Sequence, residues 1–370
     1  MALLPVSTWA ATDSPQELGE LCLLPGLEKA LSQYRQLAAQ GGWPQVVVGP
    51  TLREDDQNER IPILKKRLVA SGDLPAWASQ EDLFEVFLHE AVLRFQTRHG
   101  LTADGLVGPK TLRELNVPIS ERIRQLEASL ARCQPLPPLL EQRHILVNIA
   151  DFTLKLFEDG KLVLAMPVIV GRTYRKTPVF SGLISSLILN PSWNVPHSIA
   201  TKDLLPKIKK DPDYLNRMHI RVTRDWTLST EIDPTTIRWA RLSRAYFPYR
   251  LRQDPGPDNA LGRVKFPFPN PYDVYLHDTP AQELFDKDAR TFSSGCIRLA
   301  KPLELAVYLL QGTPLDSMEA LTEEIANEEP QQKVAIPSPI AIHIVYLTAW
   351  VDPDGTVQFR PDVYKRNPAR

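Results

Sequence analysis

The sequence predicts a multidomain α+β protein, with a small three-helix module ahead of a mostly-β domain that carries a lid insertion. Three observations predict it. At 370 residues the chain is too long for one ordinary core and fits about two to three domains. Apolar residues recur at helical spacing through the first third and then switch to dense β-branched runs with alternation after residue 143. The β-rich part is interrupted at 197–260 by a charged, proline- and tyrosine-rich stretch.

Residues 1–60 read as a helical lead-in or scaffold, in which LEKALSQYRQLAAQ (27–40) is amphipathic and GGWP breaks the helix. Residues 61–117 read as the three-helix module. Its first helix carries Leu64 and Leu68 on one face and stops at Gly72. The second recurs at Leu83, Val86, Phe87, Val92 and Phe95 and ends on Gly100, which suits a left-handed cap. Asp104-Gly105 marks a turn, and Pro109 sits where the short last helix would start. Residues 118–143 give one more helix and a proline-rich linker, QPLPPLLEQR.

From 144 to 364 the chain reads as one β-rich domain. HILVNIADFTLKLFEDGKLVLAMPVIVG (144–171) predicts a hairpin turning at Gly160, and SGLISSLILNPSWNVP (181–196) a further strand. Residues 197–260 are an insertion covering one end of the sheet, as a lid or as a decorated surface loop. Sheet resumes at 262–278, and 341–364 forms a late hairpin turning at Asp354-Gly355 that completes the sheet.

The net charge of −1 gives no general pull toward nucleic acid or anionic lipid, so no nucleic-acid partner is expected. The 34 prolines, about 9% against a usual ~5%, fall in clusters and point to ordered elbows. Cys22, Cys133 and Cys296 form no metal-binding spacing, and a bridge between Cys22 and Cys133 stays open. No stretch approaches the ~20 apolar residues of a membrane span. The N-terminal MALLPVSTWAATDSP lacks the basic and apolar regions of an export signal.

Chemistry concentrates in YLHDTPAQELFDKDARTFSSGCIRLA (275–300). A free cysteine is only a few per cent thiolate at neutral pH and needs a base or a positive field to act as nucleophile. His277 ends an apolar run that would fix its ring. Cys296 follows Ser293-Ser294-Gly295, a small-residue turn able to expose a thiol and aim N–H groups at an oxyanion. Arg290 and Arg298 flank that turn and would favour thiolate. Taken singly, Cys296 as a buried structural cysteine and His277 as a satisfied core histidine remain the plainer readings.

Two resemblances add to this. LRFQTRHGLTADGLVGPKTLREL resembles the PGBD-like peptidoglycan-binding repeat at its FQ, HGL, DG, VGP and T-x-x-x-L positions. The segment from His277 to Ser293-Ser294-Gly295-Cys296-Ile297-Arg298 resembles the signature of YkuD-type L,D-transpeptidase catalytic domains. In many members histidine stands where this chain has Ser294. The SSGC version, together with RQDPGPDNALGRVKFPFPN (252–270) and the ending DG-x-V-x-F-x-x-DVY, is similar to the YcbB-like branch.

The resemblance implies Cys296 as nucleophile and His277 as base. It implies Asp278 as the residue orienting the imidazole, more through its main-chain carbonyl than its carboxylate. Backbone N–H groups of Gly295 and Cys296 would hold the oxyanion, and Tyr275 is a candidate hydroxyl donor. Arg298 would shape the site or meet a substrate carboxylate, and Ser294 would leave the site without a second imidazole. The implied reaction joins peptidoglycan stem peptides by 3→3 cross-links through a thioester, releasing D-alanine, with L,D-carboxypeptidase activity or a non-catalytic wall-binding scaffold as alternatives. No metal or other cofactor is implied. Carbapenem β-lactams would be inhibitors, glycan strands a possible partner of the 61–117 module, and the place of action periplasmic or otherwise extracytoplasmic.

Overall fold

The structure is a computed structural model that describes residues 24–78, 81–134, 143–211 and 213–368. The N-terminal MALLPVSTWAATDSP, Cys22 and nearly all of the proline-rich linker therefore lie outside the described residues. Cys133 is disulfide-bonded and Cys296 is free.

The helical part comprises α1 (Leu24–Ala39), α2 (Ile61–Ala70), α3 (Val86–Arg98), α4 (Pro109–Leu115) and α5 (Ile119–Cys133). α2, α3 and α4 enclose a core of Leu64, Leu68, Leu88, Val92, Phe95 and Leu112, the three-helix module read from the sequence. Pro109 occupies the first turn of α4, where its missing N–H costs nothing. Gly100 follows α3 at φ +66°, the left-handed position expected of a cap. The start of the second helix needs correction. Leu83 lies before α3 in an isolated bridge to Gln57, and Val86, at the helix start, is exposed. α1, the described helix of the lead-in, packs along α5.

The β-rich part contains β1 (Arg143–Asn148), β2 (Thr153–Glu158), β3 (Lys161–Gly171), β4 (Phe180–Leu189), β8 (Val264–Phe266), β9 (Leu276–His277), β10 (Thr291–Ser293), β11 (Ile297–Leu299) and β12 (Gln332–Val345). Their order in the sheet is β10-β3-β11-β9-β8-β4-β12-β1-β2, and a further β2–β3 pairing closes the ring. Closure removes the sheet edges. Alternating residues fill the interior: Ile145 and Val147, Leu187 and Leu189, Val264 and Phe266, Leu276, Ile297 and Leu299. Helices α9 (Pro302–Leu309) and α10 (Met318–Ala326) cover it, and Ser317 caps α10 by accepting from the Ala320 N–H at 3.1 Å.

Two further expectations change in detail. Residues 144–171 form a three-stranded meander rather than one hairpin, with the Asp159-Gly160 turn joining β2 to β3. The C-terminal segment divides its work. Its first residues extend β12, parallel to β1 and antiparallel to β4. The turn at Asp354-Gly355 belongs to a separate hairpin of β13 (Ala349–Val351) and β14 (Val357–Phe359), which packs on α1 and α5. Phe359 and Ala349 find apolar cover there that the closed ring no longer offers.

The insertion is a small folded unit. β5 (Trp193–Asn194), β6 (Ile220–Thr223) and β7 (Arg250–Gln253) form a sheet ordered β5-β7-β6. It packs with α6 (His197–Ile199), α7 (Leu205–Lys210) and α8 (Tyr214–Arg217) around Leu204, Leu205, Ile208, Leu215, Val222 and Leu251.

Candidate active site

Strand alternation builds the site. Leu276, Ile297 and Leu299 face the core, so His277 on β9 and Arg298 on β11 point to the opposite face. The parallel register pairs Arg298 with His277, and the antiparallel register on the other side pairs Lys265 of β8 with His277. Lys265, His277 and Arg298 thus form a lateral row across three strands. All three, with Cys296 and Tyr275, line a cleft of about 850 Å³. Trp193, Ile199, Asp203, Leu204 and Trp226 of the insertion line the same cleft, which makes the insertion a wall of the site.

Cys296 sits in the turn between β10 and β11. Gly295 adopts φ +125°, a conformation that side chains rarely tolerate, and this swings the chain so that Cys296 meets the cleft. Ser293 Oγ donates to the Cys296 carbonyl at 2.5 Å and accepts from the Gly295 N–H at 3.1 Å. Thr177 Oγ1 donates to the Gly295 carbonyl at 2.8 Å and accepts from the Gly171 N–H at 2.9 Å. The Tyr364 hydroxyl donates to the Gly171 carbonyl, joining the turn to the C-terminal segment. The Gly295 N–H, expected at an oxyanion, is therefore already spent on Ser293, and the contribution of Gly295 is the turn itself.

His277 is buried, and its Nδ1 lies 2.5 Å from the Asp278 carbonyl oxygen. A carbonyl can only accept, so Nδ1 carries the proton and Nε2 keeps its lone pair. The Asp278 carboxylate is engaged elsewhere, accepting from the Arg263 N–H at 2.8 Å and the Thr279 N–H at 2.7 Å. Orientation of the ring thus comes through the Asp278 main chain. Burial, then Arg298 and Lys265, push His277 down to about 3 against the opposing Asp278 bond. The imidazole is neutral at physiological pH.

Burial pushes the half-buried Cys296 thiol up, and contacts from the Tyr275 main chain and hydroxyl, with the charges of Lys265 and Arg298, oppose that rise. The thiol Sγ lies 3.8 Å from the Asp273 carbonyl oxygen. Among the described residues no hydrogen bond joins Cys296 to His277, although both face the one cleft. Tyr275 packs edge-on against His277 at 5.6 Å between ring centroids. Ser294 is exposed and accepts from Arg175 Nη1 at 2.8 Å, and the same guanidinium pairs with Asp203 of the insertion.

One expectation fails. Arg290 turns away from the thiol: it donates to the Lys287 and Phe152 carbonyls at 3.0 and 3.2 Å and lies over the Phe152 ring. Proximity in sequence misled because β10 runs between it and the turn. Lys265, which the sequence reading did not single out, brings its charge to bear on the thiol together with Arg298. The signal was available in Val264-Lys265-Phe266, where a lysine between two core residues must share a face with the neighbouring strand's outward residue.

Residues 142–316 match the family described as the L,D-transpeptidase catalytic domain, YkuD, and residues 57–115 match a "Putative peptidoglycan binding domain". A "Putative L,D-transpeptidase" of Haemophilus influenzae is 36% identical over 220 residues, spanning 60% of this chain and 44% of that relative. Among solved structures, the L,D-transpeptidase (Yku) from Stackebrandtia nassauensis is 15% identical, with 80% of this chain and 97% of that chain covered at a TM-score of 0.29. The catalytic domain of the E. faecium L,D-transpeptidase acylated by ertapenem is 15% identical, with 55% and 98% covered at a TM-score of 0.26. Structural likenesses of that size carry no argument here. Motif, site geometry and family match coincide on the same residues: residues 142–316, which hold His277 and Cys296, match the YkuD L,D-transpeptidase catalytic domain, and residues 57–115 ahead of them match the peptidoglycan-binding family.

Proposed function

We propose that the protein is a peptidoglycan L,D-transpeptidase that works through a thioester on Cys296 and forms 3→3 cross-links. The observation that carries the reading is the pairing, in one cleft, of a free thiol with an imidazole whose Nδ1–H is fixed and whose Nε2 is open. In the first half-reaction Sγ attacks the carbonyl carbon of the third residue of a tetrapeptide stem while its proton passes to Nε2. The resulting oxyanion is met by the Cys296 N–H and the Tyr275 hydroxyl. The C–N bond to the terminal D-alanine then breaks, the proton goes to the departing amine, and a thioester remains. In the second half an acceptor amine gives up a proton to Nε2 and attacks the thioester, restoring the thiol. The acyl bond is exchanged without ATP.

Because His277 is held so far below its usual value, a resting thiolate–imidazolium pair is disfavoured, and proton transfer accompanies attack. Arg298 and Ser294 border the stem peptide, Arg298 offering its guanidinium to a carboxylate. The walled cleft favours an amine over water as acceptor, which supports the transferase over an L,D-carboxypeptidase. The SSGC turn and the folded insertion support the YcbB-like branch. Peptidoglycan stems as substrate place the action outside the cytoplasm, and the 57–115 domain supports a contact with glycan strands.

The test is direct. Incubation with a carbapenem and intact-mass analysis should give one covalent adduct, lost in Cys296→Ala; an unmodified wild-type protein would remove the enzymatic reading. Disaccharide-tetrapeptide then separates the outcomes: dimer with loss of D-alanine marks the transpeptidase, and tripeptide alone marks the carboxypeptidase.

A further inference from the structure

We propose that Lys265 is a charge-setting residue of this site, supplying the positive field that lets Cys296 act as a thiolate-like nucleophile while the resting His277 stays uncharged. The inference rests on the reading of Cys296 as nucleophile and adds the residue that tunes it.

Three observations carry it. First, β8 delivers Lys265 to the cleft by register: Val264 and Phe266 fill the core, so the lysine points to the outer face directly beside His277. Second, its ammonium lies 3.9 Å from the centroid of the Tyr275 ring, and Tyr275 in turn bears on the thiol. A cation held on an aromatic face has lost much of the freedom of a surface lysine. Third, among the described residues no carboxylate lies within ion-pair reach of Lys265. Burial lowers its affinity for a proton, and the one group acting in the other direction is Cys296. A half-buried cation without a counter-ion is costly, and the anion it faces is the one the reaction creates.

From β9 the facing groups are Tyr275 and His277, and from β11 Arg298. After β3, Arg172 and Arg175 line the cleft, and the insertion adds Lys207 and Asp203, the last already paired with Arg175. From the loop ahead of β9, Asp273 turns its carbonyl to the thiol. The local balance is strongly positive, and the row Lys265–His277–Arg298 places one cationic side chain on each side of the imidazole. A positive field on both flanks disfavours a resting imidazolium and favours an anion in the neighbouring turn. Lys265 acts through the thiol and the imidazole and need not touch substrate.

The experiment uses the whole chain and the rate of Cys296 alkylation by iodoacetamide across pH, followed by peptide mapping, in wild type, Lys265→Met and Lys265→Arg. Methionine keeps the length of the stem and removes the charge. The expected result is a rise of roughly one pH unit in the alkylation midpoint for Lys265→Met, so that the rate near neutrality falls about tenfold. Lys265→Arg should stay within about threefold of wild type, and both variants should melt cooperatively. Superimposed profiles for wild type and Lys265→Met would overturn the inference. So would equal slowing in Lys265→Arg, which would make the side chain a packing element over Tyr275. Normal Lys265-dependent alkylation without any carbapenem adduct would instead sink the transpeptidase reading and leave the charge-setting role standing.

Discussion

At the scale of single residues, the site is governed by which group may carry charge. His277 keeps its lone pair because a carbonyl holds Nδ1–H and because two cations flank the ring. Removing the imidazole should abolish carbapenem acylation near neutral pH while leaving the fold intact; a His277→Ala protein that acylates at the wild-type rate would show that another group takes the proton. The depressed value of His277, about 3, also fixes the acid limb. Acylation by a carbapenem should stay within about threefold between pH 7 and 5, whereas an imidazole titrating near its ordinary ~6.5 would lose more than tenfold. A midpoint near 6.5 in the rate profile would mean that the ring is solvated during catalysis. Gly295 acts through conformation alone. A Cβ there meets no atom within 4 Å, but φ +125° is strained for any side chain. Gly295→Ala should therefore cost on the order of 1–3 kcal/mol of backbone strain and slow acylation by tenfold or more, read by mass-resolved kinetics.

At the scale of elements, the site depends on pieces far apart in sequence meeting at the cleft. Arg175, in the loop after β3, bonds Ser294 in the Cys296 turn and pairs with Asp203 in the insertion, so one guanidinium ties the wall to the turn. Asp203→Asn should loosen the wall and raise the share of hydrolysed tripeptide relative to dimer; an unchanged ratio would show that the insertion excludes water without this tie. The helical module has its own anchor. Arg98 meets Asp73 at 2.5 Å through two nitrogens, and both are buried. Asp73→Ala strands the guanidinium and should cost about 3–5 kcal/mol, seen in denaturant melts. Some of these elements were legible from the chain alone. The three-helix module announced itself through Leu64, Leu68, Val92 and Phe95, and the Cys296 turn through its small residues. What local patterning could not reveal is lateral. Lys265 meets His277 only because β8 and β9 pair in one register. Likewise β13 and β14 leave the main sheet only because the ring is already closed by β2 and β3. Arg290 shows the converse error, since nearness along the chain is not nearness across a strand.

At the scale of the whole molecule, a buried histidine sits where the helical module meets the C-terminal hairpin. His99, at the end of α3, is buried between the Phe95 ring at 3.9 Å and the Phe359 ring of the C-terminal hairpin at 5.6 Å, with Nδ1 2.7 Å from the Phe95 carbonyl oxygen. Burial, then Arg98 and Arg122, hold it well below the ordinary histidine value. His277 is held down in the same way. In the unfolded chain both rings would accept protons as pH falls through ~6.5, while in the folded chain they do not. The unfolded state then binds more protons, so stability is complete above ~6.5 and declines as pH falls below it. His277 contributes about 1.4 kcal/mol per pH unit in that window, roughly 2 kcal/mol between pH 6.5 and 5, and His99 acts in the same direction. For His277 the decline ends only near 3, where the native ring also protonates. Asp278, raised by burial, acts in the opposite sense, so the informative quantity is the difference between variants. His99→Asn should be less stable than wild type at pH 7.5, yet lose less of its stability on going to pH 5, as measured by urea melts at the two values. Equal losses in the two proteins would mean that His99 takes up its proton without unfolding. The seam between the helical module and the C-terminal hairpin would then have to open before the rest of the molecule does.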